Sequence, residues 1–233
     1  MNKKKVKLDA HSEIFDPELK DIINGYVMGD GYINKRGILT VDQGEKQKKF
    51  VEWLRQKLDP IVTENCTIQE VTRERGKPSL NGSSDKNKNQ KKTITKSYRF
   101  NTRSVLKDFF NNWYGPDPKD PSKNKKKLPT NIADLFTPLF IIVWFACDGT
   151  NVIGSRGAKF EVTSLSVDER ILLKNIFLSK YNINTNIIKS GFSTSRTQQW
   201  VLSINSEDYD KFRALITQYD LIEKLFSYKL QFK

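Results

Sequence analysis

Apolar positions along the chain recur with two periods, and together they lay out an ordered series of elements. Leu19 to Met28 is an apolar-rich run with helical spacing that stops at Gly29-Asp30-Gly31. Tyr32 to Val41 reads as a hairpin turning at Lys35-Arg36-Gly37. Phe50, Trp53, Leu54 and Leu58 predict an amphipathic helix over 45–58, stopped by Asp59-Pro60. Ile61 to Val71 and Thr93 to Phe100 alternate like strands on either side of a long polar loop. Ser104 to Trp113 predicts a further amphipathic helix. Gly115 to Lys127 is basic, interrupted by proline and without periodicity, and reads as a linker.

The second half repeats this order. Thr137-Pro138 opens a helix that runs through Cys147 and ends at Asp148-Gly149, and Asn151 to Thr163 reads as a hairpin. Val167 to Tyr181 predicts an amphipathic helix with Asp168 and Glu169 in its first turn, where the helix dipole favours them. Ile183 to Lys189 and Gln199 to Asn205 flank a polar turn, and Ser206 to Tyr219 predicts the last helix. Each half is therefore helix, hairpin, helix, hairpin, helix. The offset between them changes only across the loop between Arg73 and Thr93, so a duplication with one loop insertion accounts for the pattern. The predicted divisions are a first repeat over 1–114, a linker over 115–130 and a second repeat over 131–233.

Charge narrows the partner. The 233 residues include 40 Lys and Arg against 27 Asp and Glu, a formal net charge of +13, which points to a polyanion. Hydrophobic residues make up 37% of the chain, enough for a core, and the longest apolar run, Leu139 to Cys147, is about half a membrane span. No membrane partner is expected, and the basic N-terminus lacks the apolar stretch of a signal peptide. Cys66 and Cys147 sit in different segments, so no disulfide framework is expected; with the single His11 they cannot make a four-ligand zinc site. His11 reads as a surface residue. Phe50, Trp53, Phe109, Phe110, Phe177 and Phe212 fall at core spacing and read as packing.

The two Asp–Gly helix ends carry the chemistry. A carboxylate just inside a helix C-terminus meets partial negative charge, and here it occurs at equivalent points of both halves, Asp30 and Asp148. Gly25 and Gly29, like Val143 and Cys147, are four apart, so each helix offers a face on which backbones can approach. Packed together, the helices deliver both carboxylates to one end, where a divalent cation offsets their repulsion. Mg²⁺ suits one or two carboxylates with carbonyls, waters and a phosphate oxygen, the arrangement of metal-assisted phosphodiester hydrolysis.

These segments resemble the paired motifs of LAGLIDADG homing endonucleases of the two-repeat, single-chain type. The stretch from Thr137-Pro138 to Trp144-Phe145-Ala146-Cys147-Asp148-Gly149 is similar to the yeast-mitochondrial branch. The resemblance covers nearly the whole chain. It implies an α+β fold of two αββαββα repeats, each with a four-stranded antiparallel saddle, packed through the motif helices. It implies that Asp30 and Asp148 hold metal, with the carbonyls of Gly29 and Cys147 as further ligands. The implied cofactor is Mg²⁺, with Mn²⁺ substituting and Ca²⁺ binding without cleavage. The implied product is a double-strand break with short 3′ overhangs in a long double-stranded DNA target.

The family also carries one basic residue per half near the metals. Lys229 takes that place in the second half; in the first, Lys126 fits the family's Lys-x-Leu-Pro spacing and Lys127 fits the internal alignment. Gln43 and Thr163 stand where the family places polar residues that organise water. For the DNA face, the first hairpin offers Asn34, Lys35, Arg36 and Thr40, and the next offers Gln69, Arg73, Arg75, Lys96 and Arg99. The second half offers Asn151, Arg156, Lys159, Lys189, Ser195, Arg196 and Gln198. The loop from Gly76 to Lys92 reads as an arm that orders on DNA. The expectation is a monomeric, site-specific, intron-type nuclease. The alternatives are an RNA maturase acting on its host intron RNA and a non-catalytic DNA-binding protein. A Lys/Asn/Ile/Phe-rich composition points to an AT-biased genome: a mitochondrion, or alternatively a chloroplast.

Overall fold

The computed structural model describes residues 15–75, 93–118, 120–152, 156–193 and 196–230; His11, the Gly76–Lys92 loop and Ser195 lie outside them. The first apolar run forms helix α1 (Pro17–Met28), whose N-terminus is capped by the Asp16 carboxylate accepting from the Leu19 N–H at 2.7 Å. Strands β1 (Tyr32–Ile33) and β2 (Leu39–Gly44) follow as a hairpin, with Gly37 at φ 76° making the turn. Helix α2 (Lys48–Lys57) starts after a short 3-10 turn, and β3 (Gln69–Arg75), β4 (Thr93–Asn101) and α3 (Lys107–Trp113) complete the half.

The second half repeats the order. It contains α5 (Pro138–Asp148), β7 (Gly149–Asn151), β8 (Ala158–Glu161), α6 (Val167–Tyr181), β9 (Thr185–Phe192), β10 (Gln198–Ile204) and α7 (Tyr209–Ile216). The sheets are both antiparallel, ordered β1-β2-β4-β3 and β7-β8-β10-β9, so the two αββαββα units match strand for strand.

Four segments depart from the sequence reading. The strand expected from Ile61 begins only at Gln69, because Asp59–Ile61 form a 3-10 turn and the chain bends through 62–68. The expected linker is an antiparallel ribbon of β5 (Tyr114–Asp117) and β6 (Asp120–Lys126), pairing Tyr114 with Lys126. The last helix breaks at Thr217 and resumes as α8 (Leu221–Leu225), and a short α4 (Ile132–Leu135) precedes α5.

The core centres on α5, where every residue from Leu139 to Ala146 is buried. Its Trp144 stacks on Phe160 of β8 at 4.1 Å between ring centroids. Phe50, Phe110, Phe177 and Phe212 are buried and Trp53 and Phe109 pack partly buried against them, as their spacing predicts. Buried Asn24 is satisfied by the Trp113 indole N–H at 2.8 Å. The Glu169 carboxylate closes a capping box with Ser166 at the start of α6 and accepts the Leu128 N–H at 2.8 Å, tying the second half to the end of the ribbon. No helix among the described residues is long and apolar enough to cross a membrane.

Candidate active site

Helices α1 and α5 meet where their side chains are smallest. A Cβ on Gly25 would lie 2.5 Å from the Phe140 carbonyl oxygen, and one on Gly29 would lie 2.4 Å from the Cys147 Cβ. Both are far inside van der Waals contact, so the backbones come this close only with glycine at these positions. A cross-helix hydrogen bond, Thr137 hydroxyl to Asp21 carboxylate at 2.7 Å, holds the other end of the pair.

The contact brings the two Asp–Gly ends together. An oxygen of Asp148 lies 3.5 Å from the position a Gly29 Cβ would take, one residue from Asp30, and the Cys147 side chain sits against the same point. Burial, reinforced by the charge of Asp30, pushes the Asp148 carboxyl up to about 7, while Lys126 and Lys229 pull it down. Asp30 is the more exposed of the two and accepts the Gln43 amide N–H at 2.9 Å.

Each motif helix ends on a lysine from elsewhere in its own half. The Lys126 ammonium donates to the carbonyls of Val27 and Gly29 at 2.6 and 2.9 Å, and the Lys229 ammonium donates to those of Phe145 and Ala146 at 2.9 and 2.7 Å. A cation is favoured at a helix C-terminus, which explains why both amines settle there. Burial lowers both, Lys229 to about 8, with Asp30 and Asp148 acting the other way. Of the two first-half candidates, Lys126 reaches the site. Lys127 is exposed, its chain lying alongside Gly115.

The polar pair expected beside the carboxylates is reduced to one. Gln43 is buried and bridges Asp30 and the Tyr26 hydroxyl. Thr163 instead accepts the Trp200 N–H at 2.7 Å, just past the end of β8. Strand pairing explains this: Val41 pairs with Phe100 and Phe160 with Leu202, so the residue matching Gln43 is Val162, one place before Thr163. Tyr26, one turn before Asp30, is a site residue that the sequence reading passed over; burial raises its hydroxyl well above the ordinary tyrosine value.

The donors nearest a cation at the helix ends are carboxylate and carbonyl oxygens, with the Cys147 thiol, whose pKa burial pushes up, beside them. Among the described residues no cluster of three or more His, Cys, Asp and Glu side chains forms. Both ammoniums bond main-chain oxygens rather than the carboxylates, so neither lysine forms a direct ion pair with Asp30 or Asp148. Two carboxylates with neighbouring carbonyls fit a hard divalent ion such as Mg²⁺. The Gly29 carbonyl already accepts from Lys126, so a cation there would share it.

The outer faces of the sheets follow strand parity. In the first half Thr40, Asp42, Gln69, Arg73 and Arg99 share the face turned away from the helices, while Arg75 pairs with Thr93 at the strand end. Lys96 lies on the other face, ion-paired to Glu70 at 2.8 Å, because it has the parity of Tyr98 and Phe100. Lys35 and Arg36 are exposed in the turn, whereas the Asn34 side chain accepts the Arg36 and Ile38 N–H groups and is held inside it. In the second half Lys159 pairs with Ser203 on the outer face. Asn151 pairs with buried Ala158 on the helix side, Lys189 sits over the Trp200 ring at 5.6 Å, and Arg156 is ion-paired to Asp210 of α7. Gln198 donates to the carbonyls of Gly191 and Gln199, and Arg196 occupies a turn at φ 59°.

The model of the LAGLIDADG DNA endonuclease family matches residues 20–212 of the sequence. The chain belongs to that family. Among solved structures, the homing endonuclease I-WcaI bound to its DNA recognition sequence has a TM-score of 0.67 at 20% identity, over 94% of this chain and 88% of that one. Full-length DUF199/WhiA from Thermatoga maritima has a TM-score of 0.47 at 10% identity, over 94% of this chain and 63% of that one. No curated protein matches the sequence. In this LAGLIDADG chain the motif helices, their paired Asp residues and one lysine per half come together, whereas the expected second water-organising side chain does not.

Proposed function

We propose that the protein is a site-specific homing endonuclease that makes a metal-dependent double-strand break in a long DNA target, acting as a monomer with two unequal half-sites. The observation that carries this is the meeting of Asp30 and Asp148 at touching helix ends, each flanked by a buried amine from its own half. Family membership and the likeness to a homing endonuclease bound to DNA support the substrate class.

In this reading Asp30 and Asp148, with the carbonyls of Gly29 and Cys147, would hold Mg²⁺ or Mn²⁺. A divalent ion bound there supplies stabilisation of charge on the attacking and leaving oxygens. Lys126 and Lys229 place positive charge where negative charge grows on the phosphate, and each uses two of its three N–H donors on a helix end, which fixes its position. Gln43 orients the Asp30 carboxylate, its amide nitrogen held between that carboxylate and the Tyr26 hydroxyl. The partly exposed Arg and Lys of the outer sheet faces, with the net charge of +13, attract the DNA.

A plasmid library carrying randomised inserts, incubated with the protein in Mg²⁺, tests the reading. Linearised plasmids with a shared sequence at the break are the expected result, lost in Asp30→Asn and Asp148→Asn. Sequence-specific binding without cleavage would leave a DNA-binding protein instead.

A further inference from the structure

Among the described residues, one cluster on the first sheet has no counterpart on the second. The Asp42 carboxylate accepts from Arg73 at 2.7 Å and from the Arg99 Nε at 3.1 Å, with a second contact from an Arg99 terminal nitrogen. All three side chains stand on the outer face, and all are partly exposed. Burial raises the Asp42 carboxyl, but the two guanidiniums outweigh it and hold it below the usual carboxylate range. A carboxylate in the middle of a surface built to meet a polyanion lowers its attraction, so it needs another reason to be there.

Geometry supplies one. A guanidinium has five N–H donors, and Arg99 directs two of them at Asp42 through one edge. Among the described residues the remaining edge takes no hydrogen-bond partner, and its plane is held by the Asp42 contact. Two parallel N–H donors of that kind match the O6 and N7 acceptors of guanine in the major groove. Resting on the fundamental reading of this face as the DNA surface, we propose that Asp42 is a positioning residue that clamps Arg99 and Arg73 as guanine readers in the target arm served by the first half.

The second sheet shows the contrast. Strand pairing sets Val201 opposite Glu161 and Ile188 opposite Val201, where the first half has Arg99 opposite Asp42 and Gln69 opposite Arg99. The Glu161 carboxylate turns back to accept the Thr163 N–H at 3.0 Å. Aliphatic side chains stand where the clamped arginine and its neighbour do. The guanine signature therefore belongs to one arm of the target.

The test is selection of bound duplexes from a randomised DNA pool with the full chain and with Asp42→Asn and Arg99→Lys. The wild type should enrich a long motif with guanine fixed at a position in one arm. Asp42→Asn should lose about tenfold in guanine preference at that position, yet bind random duplex as tightly as the wild type or up to threefold more tightly, because a negative charge is gone. Arg99→Lys, which keeps charge and fold, should lose the same preference with an unchanged salt dependence. Retention of the guanine preference in either variant overturns the clamp while leaving the DNA-binding reading intact. A wild type that enriches no motif overturns the DNA-binding reading itself.

Discussion

Gln43 donates to Asp30 at 2.9 Å, whereas the matching strand position in the second half is Val162, whose side chain has no hydrogen bond to offer Asp148. The two halves of the site are thus alike in their acid and amine but unlike in the side chain that orients the acid. Loss of a hydrogen bond to a charged group costs about 1.5–3 kcal/mol. Gln43→Leu is therefore expected to slow cleavage of one strand roughly tenfold or more and the other far less. On a supercoiled plasmid carrying the target, nicked circles should accumulate; equal slowing of both strands would contradict the asymmetry.

The closeness of α1 and α5 makes Gly25 a sensitive position. A methyl there meets the Phe140 carbonyl oxygen at 2.5 Å, with the helix backbone unable to yield cheaply. Gly25→Ala should lower stability by about 1–3 kcal/mol, read by urea denaturation, and should reduce cleavage more than DNA binding by moving the carboxylates apart. An unchanged midpoint would mean the helices adjust freely.

Asp148 gives a pH signature in the metal-free protein. Its folded value, about 7, lies above its ordinary value of 3.8, so the folded state holds the proton more tightly. That contribution to stability is present below pH 4 and is lost as pH rises toward 7. Asp148→Asn removes the penalty. In EDTA, the variant should melt above the wild type at pH 8, with the gap closing toward pH 5. A constant gap would place the carboxyl in an ordinary environment.

The lysines should separate chemistry from binding. Lys126→Met and Lys229→Met are each expected to cut the cleavage rate on the order of 10²–10³-fold, the scale of a lost charge-stabilising donor. Affinity for the target in Ca²⁺ should change little. Lys127→Met, with its exposed side chain, should leave the rate within about twofold of the wild type. Equal losses in all three would reduce the lysines to general electrostatics.

Most of the fold is legible in the sequence because its long helices and paired strands have one buried face, and burial writes a period into the chain. The ribbon of β5 and β6 has no such face: β6 is exposed along nearly its whole length, so its residues alternate with nothing. It reads as a linker for that reason. The carboxylates were legible because they punctuate apolar helices. Gln43 was legible as a polar residue before α2, but its partner position was not. Identifying Val162 requires the strand register, and a one-residue shift puts Thr163 in its place. Lys96 and Lys189 fail similarly, since charge alone does not state which side of a sheet it occupies.

The ribbon also redraws where the first half ends. Its second strand carries Lys126 back to the close of α1, so a fragment stopping at residue 114 would keep Asp30 and Gln43 while leaving its amine on the other piece. Any attempt to rebuild the enzyme from two separate polypeptides must therefore place the cut beyond residue 126, or rely on the severed strands finding each other again.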